Sequence, residues 1–243
     1  MFETSRIERP GFAVRRSVVM ARDGMVATSQ PLATEAGVSM LKKGGNAFDA
    51  AIATALTLNV VEPVSTGIGG DAFFLYSCAA DSKIYGVNGS GRCPRQLTLE
   101  ALQQRGIQGI PERGLASVTV PGAVDAFYEV HQRHGKLAFA ELFEPAIHYA
   151  SDGFPVSEVI ASQWQTAVPL LSRWPSSAQT YLVDGKAPRP GDVHRQPALA
   201  HTLRLLADGG RDVFYRGEIA QRIVQFSQAN GGFFERWMQP NWR

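Results

Sequence analysis

Gly67, Gly69 and Gly70 fall within four positions of the stretch EPVSTGIGGDAFFLY, residues 62–76, between an alanine-rich run and an aromatic one. A glycine cluster of this kind can cradle a phosphate on backbone N–H groups, or let main chain approach a substrate or a neighbouring segment closely. A phosphate loop runs from a strand through G-x-x-x-x-G-K-[ST] into a helix. Here the order is reversed, and Asp71 stands where a nucleotide loop carries lysine. A carboxylate at that point repels phosphate, so a nucleotide-binding module is the disfavoured alternative. Two readings remain open for the glycines: a tight turn buried against a sheet, and a loop beside a substrate.

Other residue types with chemical potential carry weaker patterns. His131 and His134 lie three apart on one face of an expected helix, which is ligand spacing, but no acidic partner follows at matching spacing. Ser90, in Gly89-Ser90-Gly91, lacks the G-x-S-x-G spacing and the following helix of a nucleophile elbow. Cys78 and Cys93 have neither paired C-x-x-C spacing nor the number for a disulfide framework, and read as buried or half-buried thiols.

Composition limits the partners. The chain has 243 residues, 44% hydrophobic and 19% charged, with a formal net charge of +2. That is the balance of a folded domain with a sizeable core. The basic residues are scattered, whereas a nucleic-acid surface concentrates them, so no nucleic-acid partner is expected. No apolar run reaches membrane-spanning length, and the apolar stretch after Arg15-Arg16 is too short for a secretory h-region. The expectation is a cytoplasmic protein with no membrane partner.

These residues need elements to position them. Residues 24–29, GMVATS, read as a strand. Pro31 opens a helix that Gly44-Gly45 stops, and Asn46 caps a second, alanine-rich helix that ends before Pro63. Residues 72–77 and 83–88 read as a hairpin turning at Asp81-Ser82. Helices are expected over 99–105, 123–134, 139–152, 196–207 and 217–229. Strands clustered early and helices late argue for α+β or a layered αββα arrangement, not regular β-α alternation.

The assembled motifs resemble the N-terminal part of the γ-glutamyltranspeptidases. Pro31-Leu32-Ala33-Thr34, Gly44-Gly45-Asn46-Ala47, Asp49-Ala50-Ala51, Val61-Glu62-Pro63 and Gly67-Ile68-Gly69-Gly70 occur in order, and the likeness continues through SVTVPGAVDAF, LFEPAIHYASDGFPVS and LADGGRDVFYRGEIAQRIV. The resemblance covers most of residues 24–232, with 1–23 as an extension and 233–243 as a divergent tail. It implies an N-terminal-nucleophile hydrolase fold: an αββα sandwich, here incomplete, from a precursor that cleaves itself into large and small subunits. In this family the first threonine of the small subunit attacks a γ-glutamyl amide, its own α-amino group serving as base, and the acyl group passes to water or an amino acceptor. No metal or organic cofactor is implied.

Two departures bear on what carries over. The family's substrate-carboxylate arginine falls at Ser90 when counted back from Pro94, and Arg92 lies two residues later. Three readings stand open: Arg92 reaches the carboxylate from a shifted loop, the chain takes acyl donors without that carboxylate, or Arg92 is a surface arginine. Ser90 and Arg92 are therefore the candidate substrate-binding residues, and no catalytic residue is assigned within this chain. Secondly, the family continues past Gly232 to the self-cleavage point, whereas this sequence reads FFERWMQPNWR and stops. The expected partners are a small-subunit piece and, once completed, a γ-glutamyl small molecule. A non-catalytic, partner-binding remnant is the alternative. Unpaired strand edges and exposed Phe233, Phe234, Trp237 and Trp242 predict self-association of the chain alone.

Overall fold

The computed structural model describes residues 18–79 and 81–235. Mixed helix and strand run in the order α1 (Pro31–Lys42), α2 (Ala47–Val61), β1 (Ala72–Ser77), β2 (Ile84–Gly89), α3 (Leu99–Gln104), α4 (Ala123–His134), α5 (Glu144–Asp152), β3 (Phe154–Pro155), α6 (Glu158–Leu171), α7 (Pro175–Tyr181), β4 (Val193–His194), α8 (Pro197–Tyr215) and α9 (Glu218–Ala229), with a 3-10 turn at Phe139–Phe143 before α5. Among the described residues the strands form two antiparallel pairs, β1 with β2 and β3 with β4. No helix among them is long and apolar enough to cross a membrane.

The short motifs around α1 and α2 act as clamps. Pro31 opens α1, where the Gln30 side chain accepts the Leu32 N–H at 2.6 Å. Asn46 caps α2 by accepting from Phe48 and Asp49, and Asp49 returns the bond to the Asn46 N–H at 2.9 Å. The fully buried Asp49 carboxylate also accepts from the Lys136 and Leu137 amides, while Asn46 Nδ2 donates to the His134 carbonyl at 2.6 Å. One short motif thereby ties the start of α2 to the loop after α4. Glu62, at the end of α2, accepts the Ser29 hydroxyl at 2.7 Å. A methyl group on Gly37 would lie 2.2 Å from Thr54 Oγ1, so glycine is what lets α1 and α2 pack so closely.

α2 runs through the main core, packed against α1, α4, α5 and the 3-10 turn, with Ile52, Leu56 and Val60 buried. The inner face of the β1–β2 hairpin rests on α4, where the Phe74 and Phe127 rings meet edge-on at 6.0 Å. Tyr215 links α8 to the start of α4: its hydroxyl donates to the Pro121 carbonyl at 2.8 Å and accepts the Asp125 N–H at 3.0 Å. Arg211 forms an ion pair with Asp125 beside it. Burial pushes the Asp125 carboxyl up against the pull of that guanidinium.

Several expectations are corrected. Residues 24–29 form no strand, because no ladder partner lies beside them among the described residues. The 139–152 helix divides into the 3-10 turn and α5 at Glu144-Pro145, since proline cannot donate the amide that a continuous helix requires there. α8 extends eight residues beyond Ala207, to Tyr215, with a break at Gly210, whose φ is 60°. α6 and α7 had no counterpart in the sequence reading. Phe233 and Phe234 are buried, at 3% and 5% exposure, not exposed. Phe233 closes a small cluster with Leu102 and Ala116, under the Arg105 guanidinium 4.1 Å above its ring. Trp237 and Trp242 lie outside the described residues.

Candidate functional site

Three chain segments meet through their backbones around the loop that carries Ser90 and Arg92. The Gly70 carbonyl accepts the N–H groups of Gly122 and Ala123, both at 3.0 Å. The Asp71 carboxylate accepts the Gly91 N–H at 2.8 Å, and the Arg92 carbonyl accepts the Val120 N–H at 2.8 Å. Glycine is required where these segments touch. A methyl group on Gly91 would sit 1.6 Å from the Val120 carbonyl oxygen, and one on Gly122 would sit 2.1 Å from that of Gly89.

The expectation that Gly67, Gly69 and Gly70 are buried against the sheet fails. All three are exposed, only Ile68 between them is buried, and a methyl group on Gly67 or Gly69 would meet nothing within 4 Å. The close approach belongs instead to Gly89, Gly91 and Gly122, because the hairpin end and the start of α4 are the segments driven together by core burial. The loop also differs in polarity from a phosphate cradle. It presents the Gly70 carbonyl to the first amides of α4, and Tyr215 takes the Asp125 amide, so these helix-start donors are already bonded to protein groups.

Ser90 is half-buried, and both its N–H and its hydroxyl donate to Asn88 Oδ1, at 2.9 and 2.7 Å. Arg92 is exposed, and among the described residues no carboxylate pairs with its guanidinium. The fold thus holds the two candidates on one pinned loop, with Ser90 locked by Asn88 and the Arg92 side chain facing solvent. Sequence reasoning missed Asn88 and Asp71 as the residues that set this loop. An Asx turn, Asn followed by Gly-Ser, is the available signal for the first; the second is a contact across 20 residues, which local pattern does not reveal.

A cleft of about 470 Å³ is bounded by α2, the glycine loop, β1 and the start of α4, and neither Ser90 nor Arg92 lines it. The two histidines serve elsewhere. His131 donates through Nε2 to the Leu137 carbonyl at 2.9 Å, and His134 meets the Tyr76 hydroxyl at 3.0 Å while stacked on Phe48. Among the described residues, no group of three His, Cys, Asp or Glu side chains gathers as metal ligands. Cys78 is half-buried, whereas Cys93 is exposed, contrary to expectation.

The sequence pattern of the gamma-glutamyltranspeptidase family matches residues 33–236. The chain belongs to this family. Among curated members and relatives, it is similar to the glutathione hydrolase-like YwrD proenzyme of Bacillus subtilis, 41% identical over 221 residues, covering 90% of this chain and 42% of that one. It is also 39% identical over 214 residues to the oxamate amidohydrolase proenzyme of Klebsiella pneumoniae, covering 86% and 40%. Among solved structures, a cephalosporin acylase from Bacillus halodurans superposes with a TM-score of 0.87 and 43% identity, covering 97% of this chain and 45% of that one. The gamma-glutamyltranspeptidase family chain described here therefore spans less than half the length of each of these proteins.

Proposed function

We propose that these residues form the large-subunit scaffold of an amide-cleaving acyl transferase of the N-terminal-nucleophile type. On this reading the rest of the protein supplies the nucleophilic threonine and completes an αββα sandwich. The observation that carries it is the family match over residues 33–236, which include the loops that converge at Gly70, Gly91 and Gly122. The reaction is γ-glutamyl transfer to water or an amino acceptor. Arg92, exposed and free of a carboxylate partner among the described residues, offers bidentate donors to the donor's α-carboxylate.

Ser90 favours a second reading. It occupies the family's arginine position, and its hydroxyl is tied to Asn88, which supports acyl groups that carry no α-carboxylate there. Two of the proteins it resembles are named for amides other than γ-glutamyl ones, an oxamate amidohydrolase and a cephalosporin acylase.

These 243 residues alone are expected to turn over neither glutathione nor a γ-glutamyl anilide, because the mechanism needs a threonine with a free α-amino group. Turnover by the pure chain, with a covalent acyl adduct on one of its own residues, would overturn the assignment. Co-production with the part of the Bacillus subtilis relative outside the matched residues is expected to generate amidase activity. Arg92→Ala then separates the two readings: a raised KM for γ-glutamyl donors supports the first, and an unchanged KM with preference for oxamate or cephalosporin amides supports the second.

A further inference from the structure

Gly210 interrupts α8 with φ 60° and ψ -152°, a backbone conformation nearly confined to glycine. The kink sets apart the last stretch of the helix, Arg211 to Tyr215. Arg211 and Tyr215 share one face of that stretch, and both reach the start of α4. Arg211 pairs with the Asp125 carboxylate. The Tyr215 hydroxyl donates to the Pro121 carbonyl and accepts the Asp125 N–H, so it is satisfied both ways in a site where the residue is 1% exposed. Burial pushes the ionisation of that hydroxyl well above its ordinary range, and it keeps the proton it donates.

The segment held in this way is one side of a closed circuit. Gly70 accepts from Gly122 and Ala123, Asp71 accepts from Gly91, and Arg92 accepts from Val120. Neighbouring residues thus link three segments, 70–71, 91–92 and 120–123, into a ring. The ring has no slack, because the backbones of Gly91 and Val120, and of Gly89 and Gly122, already lie too close for a methyl group between them. Residues 120–122 therefore cannot shift without carrying Gly91 and Arg92 along. Apolar packing is non-directional and does not set such a register by itself, whereas hydrogen bonds fix both distance and angle.

We infer that Arg211 and Tyr215 are positioning residues of the acyl-transfer site. They latch residues 120–125 to α8 and, through the Val120–Arg92 bond, set where the Arg92 guanidinium meets the donor's carboxylate. Neither touches the substrate. The role rests on the reading in which Arg92 binds the donor's α-carboxylate. The two latch residues hold different atoms of one turn, Tyr215 the main chain at 121 and 125, Arg211 the Asp125 side chain. Each can therefore be removed while the other stays in place.

Tyr215→Phe keeps the ring and removes both hydrogen bonds. In the 243-residue chain it is expected to speed exchange of the Val120, Gly122 and Ala123 amides about tenfold, with the amides of α2 from Leu56 to Val61 unchanged. Acceleration shared by α2, or none at all, overturns the latch. Arg211→Gln leaves Tyr215 untouched and should speed the same amides, whereas Arg211→Lys, which keeps a cation for Asp125, should restore most of the protection. Equal exchange in these two variants overturns the part assigned to Arg211. In the chain co-produced with the Bacillus subtilis relative's unmatched part, Tyr215→Phe should raise KM for a γ-glutamyl anilide about fivefold, with kcat within about twofold. Added to Arg92→Ala, the same change should raise KM no further, because both act through one contact. Additive effects, or a KM unmoved by Tyr215→Phe where Arg92→Ala raises it, overturn the positioning role alone. An unchanged KM in Arg92→Ala overturns the carboxylate reading and the positioning role with it. A pair that cleaves no amide overturns the proposed function and this role together, while the latch stands or falls on exchange at 120, 122 and 123.

Discussion

The Asp71 carboxylate holds the Gly91 N–H at 2.8 Å and so joins the glycine loop to the loop bearing Ser90 and Arg92. A carboxylate acceptor for a backbone amide is a stronger partner than a neutral one. The candidate substrate loop is thereby pinned from both sides, by Asp71 at Gly91 and by Val120 at Arg92.

Removing that acceptor should loosen the loop without unfolding the core. Asp71→Ala is expected to speed exchange of the Gly91 amide by about tenfold, whereas Asp71→Asn, which keeps an acceptor oxygen in place, should retain most of the protection. Equal protection in wild type and Asp71→Ala would show that Val120 alone holds the loop.

The glycines of this region should divide sharply in their tolerance. Gly91→Ala and Gly122→Ala place a methyl group 1.6 and 2.1 Å from carbonyl oxygens of fixed backbone, and each should cost about 1–3 kcal/mol or more. Gly69→Val meets open space, and its φ lies outside the positive range, so it should stay within about 0.5 kcal/mol. Thermal melts of the three variants test this ranking, and a Gly69→Val loss as large as that of Gly91→Ala would contradict it.

Acid sensitivity should trace to His194. This side chain is buried between Phe154 and the Trp164 ring 4.8 Å away, and burial holds its pKa below the usual 6.5. Since the unfolded chain then binds the extra proton more readily than the folded one, stability falls as pH drops from about 6.5 towards the depressed folded value. His194→Phe should flatten that part of the stability curve. An unchanged slope between wild type and variant in denaturant titrations at several pH values would assign the acid loss to another group.

Local chemistry made much of this protein readable from residues alone. Pro31, the Gly44-Gly45 stop, the Asn46 cap, the hairpin and α4 from Ala123 to His134 depend on caps, breakers and alternation within a few positions, and each stands where the pattern put it except that the second hairpin strand, expected at 83–88, lies one residue later at 84–89. The family motifs were equally visible, because they are runs of adjacent residues. Only the tertiary structure decided what those motifs do. Asp49 clamps amides 87 and 88 residues away, Glu62 holds Ser29, and the glycines that must be glycines are Gly91 and Gly122, not Gly67 and Gly69. Residues 24–29 have strand composition but no neighbour to pair with among the described residues, and Phe233 is buried because α3 and Ala116 offer it a pocket. Steric crowding and backbone pairing between distant segments arise when the core closes, so no window of local sequence contains them.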